Sequence, residues 1–273
     1  MANHPDLHYL LDWNYTSEKM QAALESGADP NERYWKYEEN ALHVAVRRRR
    51  LEAIPHLLKH GVDINAKTKG GKSAYAHAIR RGFTEISDFL QNKGADTSLN
   101  AADQLAVALV KGDIEKASTL IAEDSNLVPQ MNKEEARILP DLTGRPRTDV
   151  VELLLEAGID VVSRGLDEGT ALHMAAWFGQ PANTQLLIDH QAPLEIRGDL
   201  HNMSPLGWVV HGSVYSGSAQ SHAEDYTSIA RILLEAGASL LHPELPEDTS
   251  GAWLLKEVSP GVEAVLRAFG ASN

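Results

Sequence analysis

The chain has 273 residues, a hydrophobic fraction of 43% and a formal net charge of −13. Phosphate backbones and anionic lipid surfaces bind proteins that carry a basic field, so this balance predicts neither a nucleic-acid nor a membrane partner. The absence of cysteine excludes disulfides, thiolate metal ligands and a cysteine nucleophile. Neither a signal peptide nor an apolar run of about 18 residues is visible, and we therefore expect a cytoplasmic protein.

The first two segments of the chain each predict a pair of helices. Residues 5–31 contain Thr16, a typical helix-capping residue, and then Gly27, which stands where a helix ends in the left-handed conformation. In residues 32–65, Pro55 lies in the second apolar run. Because proline is tolerated only in the first turn of a helix, we expect that helix to begin near residue 52 or 53.

The middle of the chain is the least regular part. Helical periodicity continues through residues 99–162, but Pro140 and Pro146 interrupt it. The sequence predicts a strong helix over residues 148–157, preceded by a short or distorted one. We expect this region to deviate most from regular geometry.

The last three segments differ in how complete their pattern is. Residues 163–197 hold a regular pair of helical runs, and residues 242–273 predict two short helices. Between them, residues 198–241 contain an insertion rich in glycine and serine. Such a composition is typical of a loop, and we expect residues 212–225 to be mobile.

A helix-ending glycine recurs along the chain at nearly constant intervals. The recurring positions are Gly27, Gly61, Gly94, Gly158, Gln191, Gly237 and Gly270. Their successive separations are 34, 33, 64, 33, 46 and 33 residues. The separation of 64 spans two units, with Asp124 at the glycine position, and that of 46 is one unit with about 13 inserted residues.

The segment TALHMAAWFGQPANTQLLIDHQA, residues 170–192, resembles the ankyrin repeat, whose signature is Thr-Pro-Leu-His-x-Ala with a period of about 33 residues. The resemblance covers nearly the whole chain. It implies an all-α ankyrin-repeat solenoid of about eight helix-turn-helix units with capping repeats, forming a single elongated domain over residues 1–273. The implied units are an N-terminal cap at 5–31, repeats at 32–65, 66–98, 99–131, 132–162, 163–197 and 198–241, and a C-terminal cap at 242–273.

The resemblance also implies the roles of particular residues. His43 and His173 occupy the signature position, where the family uses histidine to hold the loop and the neighbouring repeat through backbone hydrogen bonds. The end of the first helix and the tips of the finger loops line the concave groove that binds a partner. The residues at those places are Trp35, Tyr37, Arg47, Arg48, Lys69, Arg80, Arg81, Lys111, Arg145, Trp177, Phe178, His201 and His211.

The cations at these groove positions have two possible partners. Arginine in successive repeats suits the carboxylates of an acidic partner protein, because its planar fork binds carboxylates in pairs. Trp177 and Phe178 would then supply an apolar anchor, since aromatic residues are enriched at interface hot spots. The alternative is that the cations pair with the protein's own aspartates and glutamates.

The predicted function is therefore a non-catalytic protein–protein interaction module, a regulator or adaptor that binds a partner along the groove without cofactor or metal. Two alternatives remain. One is an enzyme or small-ligand binder that uses residues 198–241, where polar side chains could converge; these are Asp199, His201, His211, His222, Glu224 and Asp225. The other is a structural array or an inhibitor of an acidic protein.

Overall fold

The computed structural model describes residues 6–34, 37–197 and 202–273. Trp35 and His201 lie outside these residues. In the described part the regular elements are helices, and the only extended pairing consists of isolated bridges in three tight loops. The all-α prediction is confirmed. The chain divides into two compact units, Met1–Leu120 and Ile121–Asn273, which we call the first and second units.

The first unit is a series of short helices joined in pairs. They are α1 Leu7–Asp12, α2 Ser17–Glu25, α3 Ala41–Arg47, α4 Ile54–Lys59, α5 Ala74–Arg80, α6 Thr84–Asn92, α7 Ala101–Lys111 and α8 Ile114–Glu123, of which α8 ends three residues past the boundary at Leu120. A 3-10 turn over Leu51–Ala53 leads into α4, whose second residue is Pro55. The predicted helix start is therefore confirmed. Leu42, Ile54 and Leu57 are fully buried between these helices.

The second unit continues the pairing with longer elements near its end. Its helices are α9 Ile138–Thr143, α10 Thr148–Glu156, α11 Ala171–Trp177, α12 Pro181–Asp189, α13 Pro205–Tyr215, α14 Ala223–Glu235 and α15 Pro260–Ala268. Helix α10 confirms the strong helix expected there. Helix α9 contains Pro140 and has 6 residues, so it is short as expected.

The recurring glycines end helices in the way their spacing predicts. Gly61 has a φ of 80° and Gly158 a φ of 85°, in the left-handed region that glycine enters without steric cost. Gln191, which takes the glycine position in its unit, also has a positive φ, of 62°. The backbone conformation is therefore kept where the residue type is not.

The loop expected over residues 212–225 is wrong for half of that range, because residues 212–215 and 223–225 are helical. Helix α13 extends to Tyr215 and α14 begins at Ala223. Between them, Ser216 is buried and its hydroxyl lies 2.6 Å from the hydroxyl of the fully buried Tyr226. A buried tyrosine thus anchors a segment whose composition alone favours a loop. The mobility of residues 216–222 stays a prediction.

Candidate functional site

The signature histidines are structural. The Nε2 of His43 donates to the carbonyl of Lys72 at 3.1 Å, and the Nε2 of His173 donates to the carbonyl of Met203 at 3.1 Å. In each case Nδ1 accepts from a backbone N–H at the start of its own helix, that of Asn40 or Thr170. Each histidine thus links one helix pair to the loop of the next, as the family resemblance implied.

Arg47 lies inside the first unit rather than on a groove. It is 7% exposed, and its guanidinium meets Asp12 Oδ1 at 3.0 Å and Glu39 Oε2 at 3.1 Å. Arg48 donates from Nε to the same carboxylate of Asp12. The internal-pairing alternative therefore holds for both arginines, because α1 ends at Asp12 and brings its carboxylate opposite them.

A second buried ion cluster lies one repeat further on. Asp103 Oδ1 accepts from Lys72 Nζ at 2.8 Å and lies 3.4 Å from the Nε of Arg80. All three side chains are buried. The expectation that the arginine positions face outward is wrong for Arg80 as it is for Arg47, since each meets a carboxylate inside the first unit.

The electrostatics of the Arg47 cluster favour the charged forms. Burial alone would lower the pKa of Arg47, but the charges of Glu39 and Asp12 outweigh it and raise that pKa. Burial alone would raise the pKa of Asp12, but Arg47 and Arg48 outweigh it and lower that pKa. The cluster is a set of mutually neutralising charges.

The remaining residues predicted for the groove differ in their surroundings. The side chain of Arg81 donates to His77 Nδ1 at 3.0 Å, and Tyr37 is buried. Lys69 and Lys111 are exposed, on a loop and at the end of α7 respectively. Arg145 lies in the second unit, half-buried, and its carbonyl accepts from Asn183.

Three predicted residues of the second unit meet in one cavity of about 250 Å³, which we call the aromatic cavity. Its lining residues are Asp167, Met174, Trp177, Phe178, Met203, Trp208 and His211. The end of α11 supplies one wall and α13 the facing one. Of the lining residues, the sequence pattern indicated Trp177, Phe178 and His211.

The rings of the aromatic cavity stand at steep angles to one another. The centroids of Trp177 and Trp208 are 5.9 Å apart with planes at 72°, and His211 lies 5.7 Å from Trp177 at 33°. Trp208 is almost buried, whereas Phe178 is 40% exposed. We therefore describe Trp208 as the floor of the cavity and Phe178 as its rim.

Backbone features hold this arrangement in place. A Cβ on Gly212 would lie 3.0 Å from the carbonyl oxygen of Trp177, so glycine permits the close approach of α13 to the end of α11. Asp167 has a φ of 53° in the loop before α11, a conformation that residues other than glycine seldom adopt. The cavity thus depends on two backbone positions with special steric requirements.

Four lining residues were missed by the sequence reasoning. Trp208 and Met174 each lie three residues before a predicted lining residue on the same helix, so helical periodicity could have indicated them. Asp167 and Met203 lie in loops, where periodicity gives no signal.

The polar cluster proposed for residues 198–241 is only partly described, because Asp199 and His201 lie outside the described residues. Among the residues that are described, no group of three or more histidines, aspartates and glutamates could hold a metal ion. Within the same part of the chain, no helix is both long and apolar enough to span a bilayer.

The fold defines a class of protein built from pairs of short helices that end at residues with positive φ. In the two repeats that carry the signature, a buried histidine links the first helix to the loop of the next repeat. The family model for ankyrin repeats (3 copies) matches residues 7–101. The chain thus contains ankyrin repeats, and the resemblance recognised from its sequence is confirmed. Ankyrin repeats are generally protein–protein interaction modules and typically are not enzymes.

Two curated relatives match part of the chain. The putative ankyrin repeat protein FPV244 of Fowlpox virus (strain NVSL) is 31% identical over 124 residues, covering 44% of this chain and 18% of the relative. Alpha-latroinsectotoxin-Lt1a of Latrodectus tredecimguttatus is 33% identical over 92 residues, covering 33% of this chain and 6% of the toxin. The chain spans less than a fifth of the length of either relative.

Two solved ankyrin repeat domains match much of the chain at low TM-scores. The human ASB11 ankyrin repeat domain has a TM-score of 0.36 at 21% identity, covering 86% of this chain and 99% of that one. The ankyrin repeat domain of Bcl-3, described as a unique member of the IkappaB protein family, has a TM-score of 0.34 at 18% identity, covering 76% of this chain and 94% of that one.

Proposed function

We propose that this protein is a non-catalytic binding module, a regulator or adaptor, and that a side chain of its partner protein enters the aromatic cavity. The observation that carries the proposal is the convergence of Trp177, Trp208 and Phe178 on one opening. Tryptophan is among the residues most enriched at interface hot spots, because it buries a large area in a fixed shape.

The size of the aromatic cavity supports a side chain as its occupant. Its volume of about 250 Å³ is below the roughly 300–1,000 Å³ of pockets that enclose drug-sized molecules. One long side chain of a partner fits such a space, with the rest of the partner on the surface around it. We favour this cavity over the predicted groove of arginines as the binding site, because Arg47, Arg48 and Arg80 already meet carboxylates of their own chain.

The test compares two phenylalanines that have similar exposure and similar positions at a helix end, of which only Phe178 lines the aromatic cavity. Phe178 and Phe269 each follow the last residue of a helix and are 40% and 38% exposed. We expect Phe178→Ala and Trp177→Ala to lose a partner that the wild-type protein captures from its source cells, and Phe269→Ala to retain it. Loss of a buried tryptophan anchor should weaken binding by about 2 kcal/mol or more.

Two outcomes would contradict the proposal. A partner that binds all three variants as it binds the wild type would contact another surface. Turnover of a small molecule that is abolished by Trp177→Ala would favour the enzyme alternative, since residues 198–241 supply part of the cavity lining. Circular dichroism of each variant would show that the helices are intact.

A further inference from the structure

We propose that the partner segment that enters the aromatic cavity carries a bulky apolar side chain and, close to it in sequence, a basic residue that binds the exposed carboxylate of Glu257. This inference rests on the proposed function and names the chemistry of the partner. Its basis is an exposed surface of α13 that leads from the cavity to this carboxylate. We call that surface the α13 strip, and it consists of His211, Val214 and Tyr215.

The lining of the aromatic cavity suits an uncharged, apolar side chain. Most of its members are apolar or aromatic, namely Met174, Trp177, Phe178, Met203 and Trp208. Asp167 already interacts with other groups of its own chain, so an occupant does not have to neutralise it. Methionine side chains adapt to the shape of what they contact. The occupant therefore gains chiefly from the removal of apolar surface from water.

The cavity continues into the α13 strip. Trp208, His211 and Tyr215 are spaced three and four residues apart, so they lie on one face of α13. The ring centroids of His211 and Tyr215 are 4.5 Å apart. Val214 and Tyr215 are 40% and 51% exposed, which is high for large hydrophobic residues. Apolar surface thus extends from the floor of the cavity to the end of the helix, where a partner segment can lie on it.

A carboxylate stands at the far end of the α13 strip. The hydroxyl of Tyr215 donates to Glu257 Oε2 at 2.6 Å, and both residues are exposed. A carboxylate offers about four acceptor sites, so one hydroxyl leaves room for a guanidinium or an ammonium group. An extended segment advances about 3.3 Å per residue, so a basic residue about two to four positions from the apolar one can reach across the tyrosine ring.

The charge of the second unit favours the same kind of partner. Residues 121–273 hold 22 of the 38 acidic side chains of the chain but 9 of its 25 lysines and arginines. Lys256, which is exposed beside Glu257, offsets only a small part of this excess. An apolar residue flanked by acidic ones would be repelled by this field, and so would the second unit of another copy of this chain. A basic flank is attracted.

The test selects random short peptides, displayed on phage, for binding to the full chain. We expect the enriched peptides to share a bulky apolar residue with arginine or lysine about two to four positions away. Selection on Glu257→Gln should keep the apolar residue and lose the basic one, and selection on Trp177→Ala should lose the whole pattern. Enrichment of acidic residues beside the apolar position, or of no common pattern, would overturn the inference.

A matched set of variants separates the local carboxylate from the general field. One enriched peptide would be synthesised with its basic residue and with glutamine in its place, and calorimetry would give the affinity of each. The loss of the basic residue should weaken binding to the wild type about two- to fivefold, as for an exposed ion pair, and should not weaken binding to Glu257→Gln. Glu235→Gln removes a charge from an exposed position of α14 that does not line the cavity, and it should behave as the wild type does. An equal loss in all three proteins would overturn the inference.

Failure of the inference and failure of the proposed function give different results. Peptides that require Trp177 and Phe178 but show no preference for a basic residue would overturn the inference and leave the proposed function standing. Peptides that bind Trp177→Ala and Phe178→Ala as they bind the wild type would instead overturn the proposed function, whatever their charge.

Discussion

Arg47 carries a charge into the interior of the first unit because two carboxylates meet it there. Asp12 ends α1 and Glu39 lies just before α3, so the ion cluster ties helices of two successive repeats together. Such a cluster contributes little net stability when complete. Removal of one member is costly, because an uncompensated charge remains in the interior.

Replacement of Arg47 by methionine, which keeps most of its volume, should therefore destabilise the protein. We expect Arg47→Met to lower the free energy of unfolding by about 3–5 kcal/mol, measured by denaturant titration. Lys69→Met is the control, because Lys69 is exposed, and it should change stability by no more than about 0.5 kcal/mol. Similar small effects of both changes would mean that Arg47 is not a structural residue.

The same cluster predicts a pH dependence. Burial alone would raise the pKa of Asp12, but Arg47 and Arg48 outweigh it, so the folded-state pKa lies below its ordinary value. The stability that Asp12 contributes is therefore present above the unfolded-state pKa of about 3.9 and is lost as the pH falls below it. We expect Asp12→Asn to flatten the dependence of unfolding free energy on pH below about pH 5. An unchanged slope would contradict this assignment.

At the scale of the element, the recurring helix ends require a residue with positive φ, and Gln191 adopts that conformation at a cost in backbone strain. Its φ of 62° is unfavourable for a residue with a Cβ, and its side chain is exposed. We expect Gln191→Gly to raise the free energy of unfolding by up to about 1 kcal/mol, because it relieves the backbone strain. The greater conformational entropy of glycine in the unfolded chain offsets part of this gain in stability.

Gly61→Ala provides the matched reverse change. Gly61 has a φ of 80°, and a Cβ built there would meet no atom within 4 Å. A loss of stability must therefore come from the backbone conformation alone. Thermal unfolding should move in opposite directions for Gln191→Gly and Gly61→Ala, and movement in the same direction would show that another effect dominates.

Tyr226 links the insertion to the aromatic cavity. Its hydroxyl donates to the carbonyl of Trp177 at 2.7 Å, and the side chain is fully buried. We expect Tyr226→Phe to cost about 1–3 kcal/mol, because a buried carbonyl loses its donor, and to increase hydrogen exchange over residues 216–222. Tyr215→Phe removes an exposed hydrogen bond to Glu257 and should have little effect on either measurement. An insertion that exchanges equally in both variants would not be anchored by Tyr226.

The sequence predicts the helix boundaries and the contacts between repeats well where a single residue determines them. Gly27 and Gly61 end helices, Pro55 places the start of α4, and His173 links neighbouring repeats, all as expected. Each of these effects follows from local sterics or from a contact that recurs with the repeat. The fold was therefore readable from the period of the pattern.

The sequence fails where contacts depend on the three-dimensional path of a loop or on a distant residue. Arg47 and Asp12 are 35 positions apart, and nothing in their spacing distinguishes an internal pair from a partner's carboxylate. Asp167 reaches the aromatic cavity through a loop of unusual backbone conformation. The composition of the glycine- and serine-rich insertion predicts a loop throughout, because composition does not show that Tyr226 is buried and hydrogen-bonded to Ser216 and Trp177.

At the scale of the whole molecule, the distribution of charge differs from what the composition suggests. The formal charge of −13 belongs to residues 121–273, whereas residues 1–120 hold equal numbers of acidic and basic side chains. Arg47 and Arg80 are neutralised inside the first unit, so they contribute little field to solution. The long-range field of the protein is therefore negative and originates in the unit that carries the aromatic cavity.

This distribution predicts how association with the partner responds to charge. Exposed charges mainly steer encounter, and salt screens them beyond about 10 Å at 0.1 M ionic strength. Because this field is negative, added salt should slow association with a partner that presents a basic surface and should leave dissociation almost unchanged. The double change Glu152→Gln and Glu156→Gln, at exposed positions of α10, should also slow association. Trp177→Ala should instead speed dissociation, because it removes a short-range contact. Surface plasmon resonance separates the two rates. Faster association of the double variant would mean that the partner surface is acidic, as the arginines of the sequence first suggested.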